Sequence, residues 1–264
     1  MIRRLWLLGC GNMGGAMLAR WIAAGTLAPA DVFVVNRADR PLPEGVGQGR
    51  AFPEGPPPDA LMLAMKPQQI DAVAADHAGA IVRAPLLISI LAGVEDAAIA
   101  RRFAGPAVVR AMPNLPVAIG KGVVMLASDH AEARARDAVA ALMAPLGLVE
   151  WLAADRFDAG TALAGSGPAF IYRVIDALAV AGARLGIPPE QALRLALATT
   201  EGAALLAAAA SEAPATLADR VASPGGSTRK GLDVLDADDA LIALFADTLA
   251  ASAARNAEMA AAAR

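Results

Sequence analysis

The sequence of 264 residues contains one cysteine, Cys10, so it can form no internal disulfide and no cysteine-rich zinc site. A lone thiol fits a reducing compartment, and a cytoplasmic location is expected. Aromatic residues are scarce, at 4%, and much of the 56% apolar content is alanine, which favours helix. Neither sign of charge dominates. Lys and Arg number 23 against 26 Asp and Glu, which excludes a generally basic nucleic-acid binder. At 19% charge with this much apolar content, a disordered chain is excluded too. No uncharged apolar run reaches the roughly 18 residues of a spanning helix, so no membrane partner is expected. Arg3-Arg4 followed by Leu5–Leu8 and Cys10 looks like the start of an export signal. The apolar run falls short of the roughly 7–15 residues that such a signal needs. The histidines, His77 and His130, lie outside every motif and are expected at the surface. No His or carboxylate cluster has metal-ligand spacing, and no metal is expected.

What is present begins with an alternation. Nearly continuous apolar runs, predicted as strands, occupy Arg4–Leu8, Val32–Val35, Leu61–Met65, Leu86–Leu91 and Val108–Ala111. Helical patterns lie between several of them, as at Met13–Ala24 and Gln68–His77. Such runs suit parallel strands covered on both faces, and the rhythm predicts a doubly wound α/β sheet. Gly122–Leu126, a helix over Ala131–Leu146 and Val149–Leu152 complete it. The Pro- and Gly-rich stretch from Pro41 to Pro58 reads as loop, with one weak strand near Gly49–Phe52. Beyond Asp155 the pattern is all-helical: Pro168–Leu185, Glu190–Ala210, Thr228–Asp236 and Asp239–Arg264. Gly186 suits the left-handed position after the first of these, and Pro188-Pro189 opens the next.

Gly9-Cys10-Gly11-Asn12-Met13-Gly14 is G-x-G-x-x-G, placed directly after a strand and opening a helix. In that context the first glycine allows the turn, the second lets a pyrophosphate approach, and the third packs helix on strand. The helix start offers free N–H groups and partial positive charge to phosphate. An NAD site usually carries an acid at the end of the second strand. Here the chain reads Val35-Asn36-Arg37-Ala38-Asp39-Arg40. Asn36 can bond a sugar or phosphate oxygen and Arg37 can fork onto a 2′-phosphate, which favours NADP over NAD. Arg40 either adds to that charge or faces solvent.

Four more motifs stand at element ends: Ala64-Met65-Lys66-Pro67, Met112-Pro113-Asn114, Gly165-Ser166-Gly167-Pro168-Ala169-Phe170 and Ser223-Pro224-Gly225-Gly226-Ser227-Thr228. The first two follow strands, where open α/β sheets bind ligands. The last two precede helices. They read either as anion sites or as plain helix caps. Cys10 has no histidine near it in sequence, so nucleophilic catalysis is not expected. Of the usual proton carriers, Tyr172 lacks a neighbouring lysine, and Lys66 remains a candidate.

Together these motifs resemble the pyrroline-5-carboxylate reductase family, over nearly the whole chain. The most specific segment is Val221-Ala222-Ser223-Pro224-Gly225-Gly226-Ser227-Thr228 followed by Gly231-Leu232. Met65 and the basic pair Arg229-Lys230 depart from the usual pattern; the pair either puts positive charge near the substrate carboxylate or faces solvent, and solvent is expected. The resemblance implies a Rossmann-type domain over residues 1–155 and an all-α dimerisation and substrate domain over residues 156–264. It implies NADPH, with NADH as an alternative donor, reducing the C=N bond of 1-pyrroline-5-carboxylate to L-proline, the final step of proline biosynthesis. It implies a homodimer, with decamers built from dimers. By that resemblance Leu8, Gly9, Cys10, Gly11, Asn12, Met13, Asn36, Arg37, Ala64, Met65, Lys66, Pro67, Ile90, Leu91 and Ala92 contact the cofactor. Met112, Pro113 and Asn114 are expected beside the nicotinamide. Gly225, Gly226, Ser227 and Thr228 would hold the substrate, Thr228 polarising the imine, with Glu212 on a substrate-side loop. Two rivals are another small imine or β-hydroxyacid reductase of the same plan, and a non-catalytic NADP-binding protein. A hydroxyacid enzyme would need a catalytic lysine in the helical half, where Lys230 is the sole lysine.

Overall fold

The computed structural model describes residues 1–262, which divide into two compact units: Met1–Ser166 together with the chain from Ala251 onward, and Gly167–Ala250. The first unit is built on eight strands: β1 (Leu5–Leu8), β2 (Val32–Val35), β3 (Gly47–Gly49), β4 (Ala60–Leu63), β5 (Leu86–Ser89), β6 (Ala107–Pro113), β7 (Gly122–Ala127) and β8 (Gly147–Trp151). They form one sheet in the order β3-β2-β1-β4-β5-β6-β7-β8, parallel except for the β6–β7 pair. The chain order reverses between β1 and β4, the crevice where such sheets bind nucleotides.

Helices α1 (Asn12–Ala23), α2 (Ile70–Ile81), α3 (Asp96–Arg102) and α4 (Ala133–Met143) cover the sheet, and the four-residue α5 (Phe157–Gly160) follows β8. Because both faces are covered, β1 is apolar at every position. Leu5 and Leu7 join one core with Met17, Trp21 and Leu142, while Trp6 and Leu8 join the other with Ile81, Ile99 and Phe103. The weak strand expected near Gly49–Phe52 lies instead at Gly47–Gly49, paired with β2. There Phe33 packs over both glycines, so that a Cβ would stand 2.7 Å from its ring at Gly47 and 3.2 Å at Gly49. The predicted strand Leu61–Met65 stops at Leu63, because Met65-Lys66-Pro67 turns away into a short 3-10 segment. Helix α3 was not foreseen: seven residues are too few for a periodic signal.

The second unit contains α6 (Gly167–Arg184), α7 (Pro189–Ala209), α8 (Pro214–Val221), α9 (Ser227–Asp236) and the first part of α10 (Ala240–Ala262). At the end of α6, Gly186 has φ +96°. Its N–H reaches the Ala183 carbonyl at 3.0 Å, and that of Ile187 reaches Gly182 at 3.3 Å, the left-handed cap its sequence predicted. Pro189 then opens α7, as expected. The small residues Gly182 and Ala192 let α6 and α7 approach closely. Helix α8 was also not foreseen: it is amphipathic, but its eight residues make only about two turns. Residues 263 and 264 of the last expected helix lie outside the described residues. Within this unit Leu195, Leu205, Leu206 and Leu244 are exposed. The helical stretches Ala154–Arg184 and Pro189–Ala209 are long and apolar enough to cross a membrane by length and composition.

Candidate functional site

A cleft of about 890 Å³ opens at the carboxyl ends of β1, β2, β4 and β5. It is walled by Leu8 and Val35, which end β1 and β2, and by Ala64 and Ile90, which directly follow β4 and β5. The glycine turn forms its floor, and the three glycines do different work. Gly9 has φ +88°, and a Cβ there would stand 2.8 Å from the Ala64 carbonyl oxygen. Gly14 lets α1 pack against Ala64, since a Cβ there would stand 3.3 Å from the Ala64 Cβ. Around Gly11 a Cβ would meet no described atom within 4 Å, so its missing side chain leaves space inside the cleft. The first turn of α1 contains no acid, and its opening N–H groups have no intrahelical acceptor.

The end of β2 is joined to this turn. Asn36 is buried, and its Oδ1 accepts the Cys10 N–H at 3.0 Å. Its Nδ2 is buried with no hydrogen-bond partner among the described residues. Arg37, Arg40 and Arg50 line the same end of the cleft. Nη1 of Arg50 donates to the Asn36 carbonyl at 3.1 Å and pairs with Asp39 at 3.1 Å. Gln48 fixes the loop between, accepting from the Arg40 N–H and donating to its carbonyl, both at 3.1 Å. Burial raises the Cys10 thiol above its ordinary range, against a lowering by Arg40, so the thiol stays protonated. On the opposite wall the Lys66 N–H donates to Gln69 Oε1 at 3.2 Å, which shapes the loop after β4.

Of the sequence-predicted cofactor residues, Leu8, Gly9, Cys10, Gly11, Asn12, Met13, Asn36, Arg37, Ala64, Met65, Lys66 and Ile90 line this one cleft. Pro67 and Ala92 are half-buried beside it in sequence without lining it, and Leu91 is buried and faces a second cavity. That cavity, of about 250 Å³, also takes Met112. Pro113 and Asn114 are buried. The Asn114 side chain is engaged at both ends. It donates to the Ala164 carbonyl at 2.9 Å and accepts the Val123 N–H at 2.9 Å, tying β6 and β7 to the π-helical turn Thr161–Gly165.

Sequence reading missed Arg50, Gln69, Asp76 and His77 in the cleft. His77, expected at the surface, is half-buried and meets Phe52 edge-on, with 5.5 Å between centroids. No local pattern marks these residues, since Arg50 reaches Asn36 only through the β2–β3 pairing.

In the second unit, the turn before α9 is tight, with the Gly226 N–H donating to the Ser223 carbonyl at 2.9 Å. Gly225 has φ +74°, and Gly226 lies so close to Ser223 that a Cβ would be 2.6 Å from its Oγ. Ser227 and Thr228 begin α9 in exposed positions, with no acid in the first turn. Glu212 pairs with Arg220. Arg229 is held by Asp233, Asp219 and Asp236, and their hydrogen bonds, Asp233 foremost, hold its guanidinium above its usual range.

Residues 154–259 match the family described as pyrroline-5-carboxylate reductase dimerisation. A pyrroline-5-carboxylate reductase of Synechocystis is 39% identical over 240 residues, covering 88% of this chain and 90% of the relative. The crystal structure of a pyrroline-5-carboxylate reductase from Coxiella burnetii superposes with TM-score 0.89 at 30% identity, covering 98% and 99% of the two chains. The pyrroline carboxylate reductase of Plasmodium falciparum, solved with NADP bound, gives TM-score 0.86 at 23% identity over 98% of each, a likeness of fold.

Proposed function

Since this chain belongs to the pyrroline-5-carboxylate reductase family, we propose that it reduces 1-pyrroline-5-carboxylate to L-proline with NADPH, the closing step of proline biosynthesis. The observation that carries the cofactor half is the pairing of an unfilled space at Gly11 with an unpartnered buried amide at Asn36. The first admits a pyrophosphate to the start of α1. The second offers a donor to a ribose or phosphate oxygen. Arg37, Arg40 and Arg50 suit a 2′-phosphate, and no acid stands at the end of β2 to favour NADH. When bound, the reduced nicotinamide supplies the hydride that adds to the imine carbon.

The chain's own residues do the rest. Leu8–Met13, Asn36, Arg37, Ala64, Met65, Lys66 and Ile90 hold the cofactor, and Met112, Pro113 and Asn114 flank the reacting ring. Asn114 does this through the frame it braces, since its amide is already engaged. Backbone N–H groups at Gly225, Ser227 and Thr228 take the substrate carboxylate, with Glu212 on the same side, while the Gly226 N–H closes the turn onto the Ser223 carbonyl at 2.9 Å. The Thr228 hydroxyl donates to the imine nitrogen, and the proton completing the amine comes from solvent. No histidine is needed for this, because an imine is more easily protonated than a ketone. A hydroxyacid reading would need a lysine base, and Lys230 is exposed beside Asp233 at 3.7 Å.

The functional division places cofactor binding in residues 1–155 and substrate binding and dimerisation in residues 156–264. The exposed apolar helices of the second unit are then covered by a second copy. The match to a dimerisation family favours this over a bilayer. Light scattering counts the dimers and would also detect assembly to decamers. The lone buried thiol suits the cytoplasm. The deciding experiment follows absorbance loss of NADPH, beside NADH, with 1-pyrroline-5-carboxylate and the purified protein. Consumption with L-proline as product supports the assignment. Binding of NADPH without consumption overturns it.

A further inference from the structure

The chemistry above leaves Arg229 without a task, although it follows Thr228 directly. A cation in the first turn of a helix opposes the helix dipole, and an arginine N-terminal to its acid is the weaker order for a helical pair. Local helix stability therefore gives no reason for it. Its contacts do. Nε donates to Asp233 at 2.9 Å, Nη1 to Asp219 at 3.0 Å and Nη2 to Asp236 at 3.0 Å. Every nitrogen of the fork has its own carboxylate, and the carboxylates outnumber the guanidinium, so it is poorly placed to attract a further anion. Asp233 and Asp236 lie on α9 itself, whereas Asp219 lies on α8. Of the three bonds, the one to Asp219 joins two helices across the turn Ala222–Gly226. The α8 side is itself tied down, since Arg220, next to Asp219, pairs with Glu212.

We propose that Arg229 is a positioning residue: through Asp219 it clamps α8 to α9 and holds the Ser223–Gly226 turn in the shape that aims the first amides of α9 and the Thr228 hydroxyl at the substrate carboxylate and imine. The inference rests on the substrate assignment above. A planar fork reaches three acceptors from three separate nitrogens, whereas an ammonium offers its three donors from a single rotatable one.

The test is steady-state kinetics of the full chain, varying 1-pyrroline-5-carboxylate at saturating NADPH. Asp219→Asn is expected to raise KM for the imine about two- to fivefold, the range of a single exposed ion pair. The KM for NADPH should not change. Asp233→Asn, which leaves the cross-helix bond intact, should stay near wild type, and Arg229→Lys should fall between wild type and Arg229→Met. A lowered KM in Asp219→Asn would overturn the clamp, because losing a negative charge near an anionic substrate does that when charge alone matters. A lower melting temperature with an unchanged KM would overturn it as well, leaving a merely structural pair. If the wild type reduces no imine, the substrate assignment fails. The clamp then stands or falls on amide hydrogen exchange at residues 222–228, which Asp219→Asn must accelerate.

Discussion

The Cys10 N–H donates to Asn36 Oδ1 at 3.0 Å, which joins the glycine turn after β1 to the end of β2, while the amide nitrogen of the same side chain is left without a partner among the described residues. One group thus has a structural half and a ligand-facing half. Asn36→Asp separates them, keeping an acceptor for Cys10 and replacing the donor by a negative charge. Thermal stability without cofactor should change little. Affinity for NADPH should fall about tenfold or more, as a like charge meets the phosphates and a charged-group bond is lost. Calorimetric titration beside thermal melts checks both halves.

Arg37 lines the same end of the cleft and is exposed. Arg37→Glu should shift the ratio of kcat/KM values from NADPH toward NADH, because the fork that fits a 2′-phosphate becomes a carboxylate that fits a 2′-hydroxyl. An unchanged ratio would mean that Arg37 does not touch the 2′-phosphate.

Two glycines of one motif should respond in opposite ways. Gly9→Ala forces a side chain into φ +88° and against the Ala64 carbonyl, a loss of about 2 kcal/mol or more seen by urea denaturation without ligand. At Gly11 the added methyl meets no described atom, so the unliganded fold keeps its stability and NADPH binding alone weakens.

Thr228→Ala should reduce kcat about 10²-fold, the scale for removing one donor from a developing charge, while leaving NADPH binding nearly unchanged. Equal losses in both would show that Thr228 does not polarise the imine. Single-turnover mixing with saturating NADPH separates the two effects.

Arg110 and Asp96 form a largely buried pair 2.6 Å apart, and the Arg110 guanidinium also lies over Phe157 at 4.3 Å. Burial pushes the Asp96 carboxyl up, against the pull of Arg110. Arg110→Met strands that charge and should cost about 3 kcal/mol at neutral pH. The folded carboxyl then binds its proton more readily than the unfolded one, so the deficit shrinks as the pH falls toward the carboxylate range. Urea midpoints at neutral and mildly acidic pH, with the double variant Arg110→Met/Asp96→Asn recovering much of the loss, read this directly.

The sequence by itself determined whatever depends on neighbours along the chain. The apolar run Leu5–Leu8, the glycines at 9, 11 and 14 and the cap at Gly186 were legible because a strand, a tight turn and a helix end are made by consecutive residues. The family was legible for the same reason, in the unbroken segment Val221–Thr228. Short helices escaped, α3 and α8 among them, because seven or eight residues make only about two turns, too short a window to read a period from. What only the tertiary structure decided are pairings between distant residues: Asn36 with Cys10, Asn114 with Ala164, Arg110 with Asp96, and Arg229 with Asp219. Sequence reading left Asn114 as a residue beside the nicotinamide and expected Arg229 to face solvent. A side chain's partner is set by how elements pack, and no pattern local to either residue contains that distance.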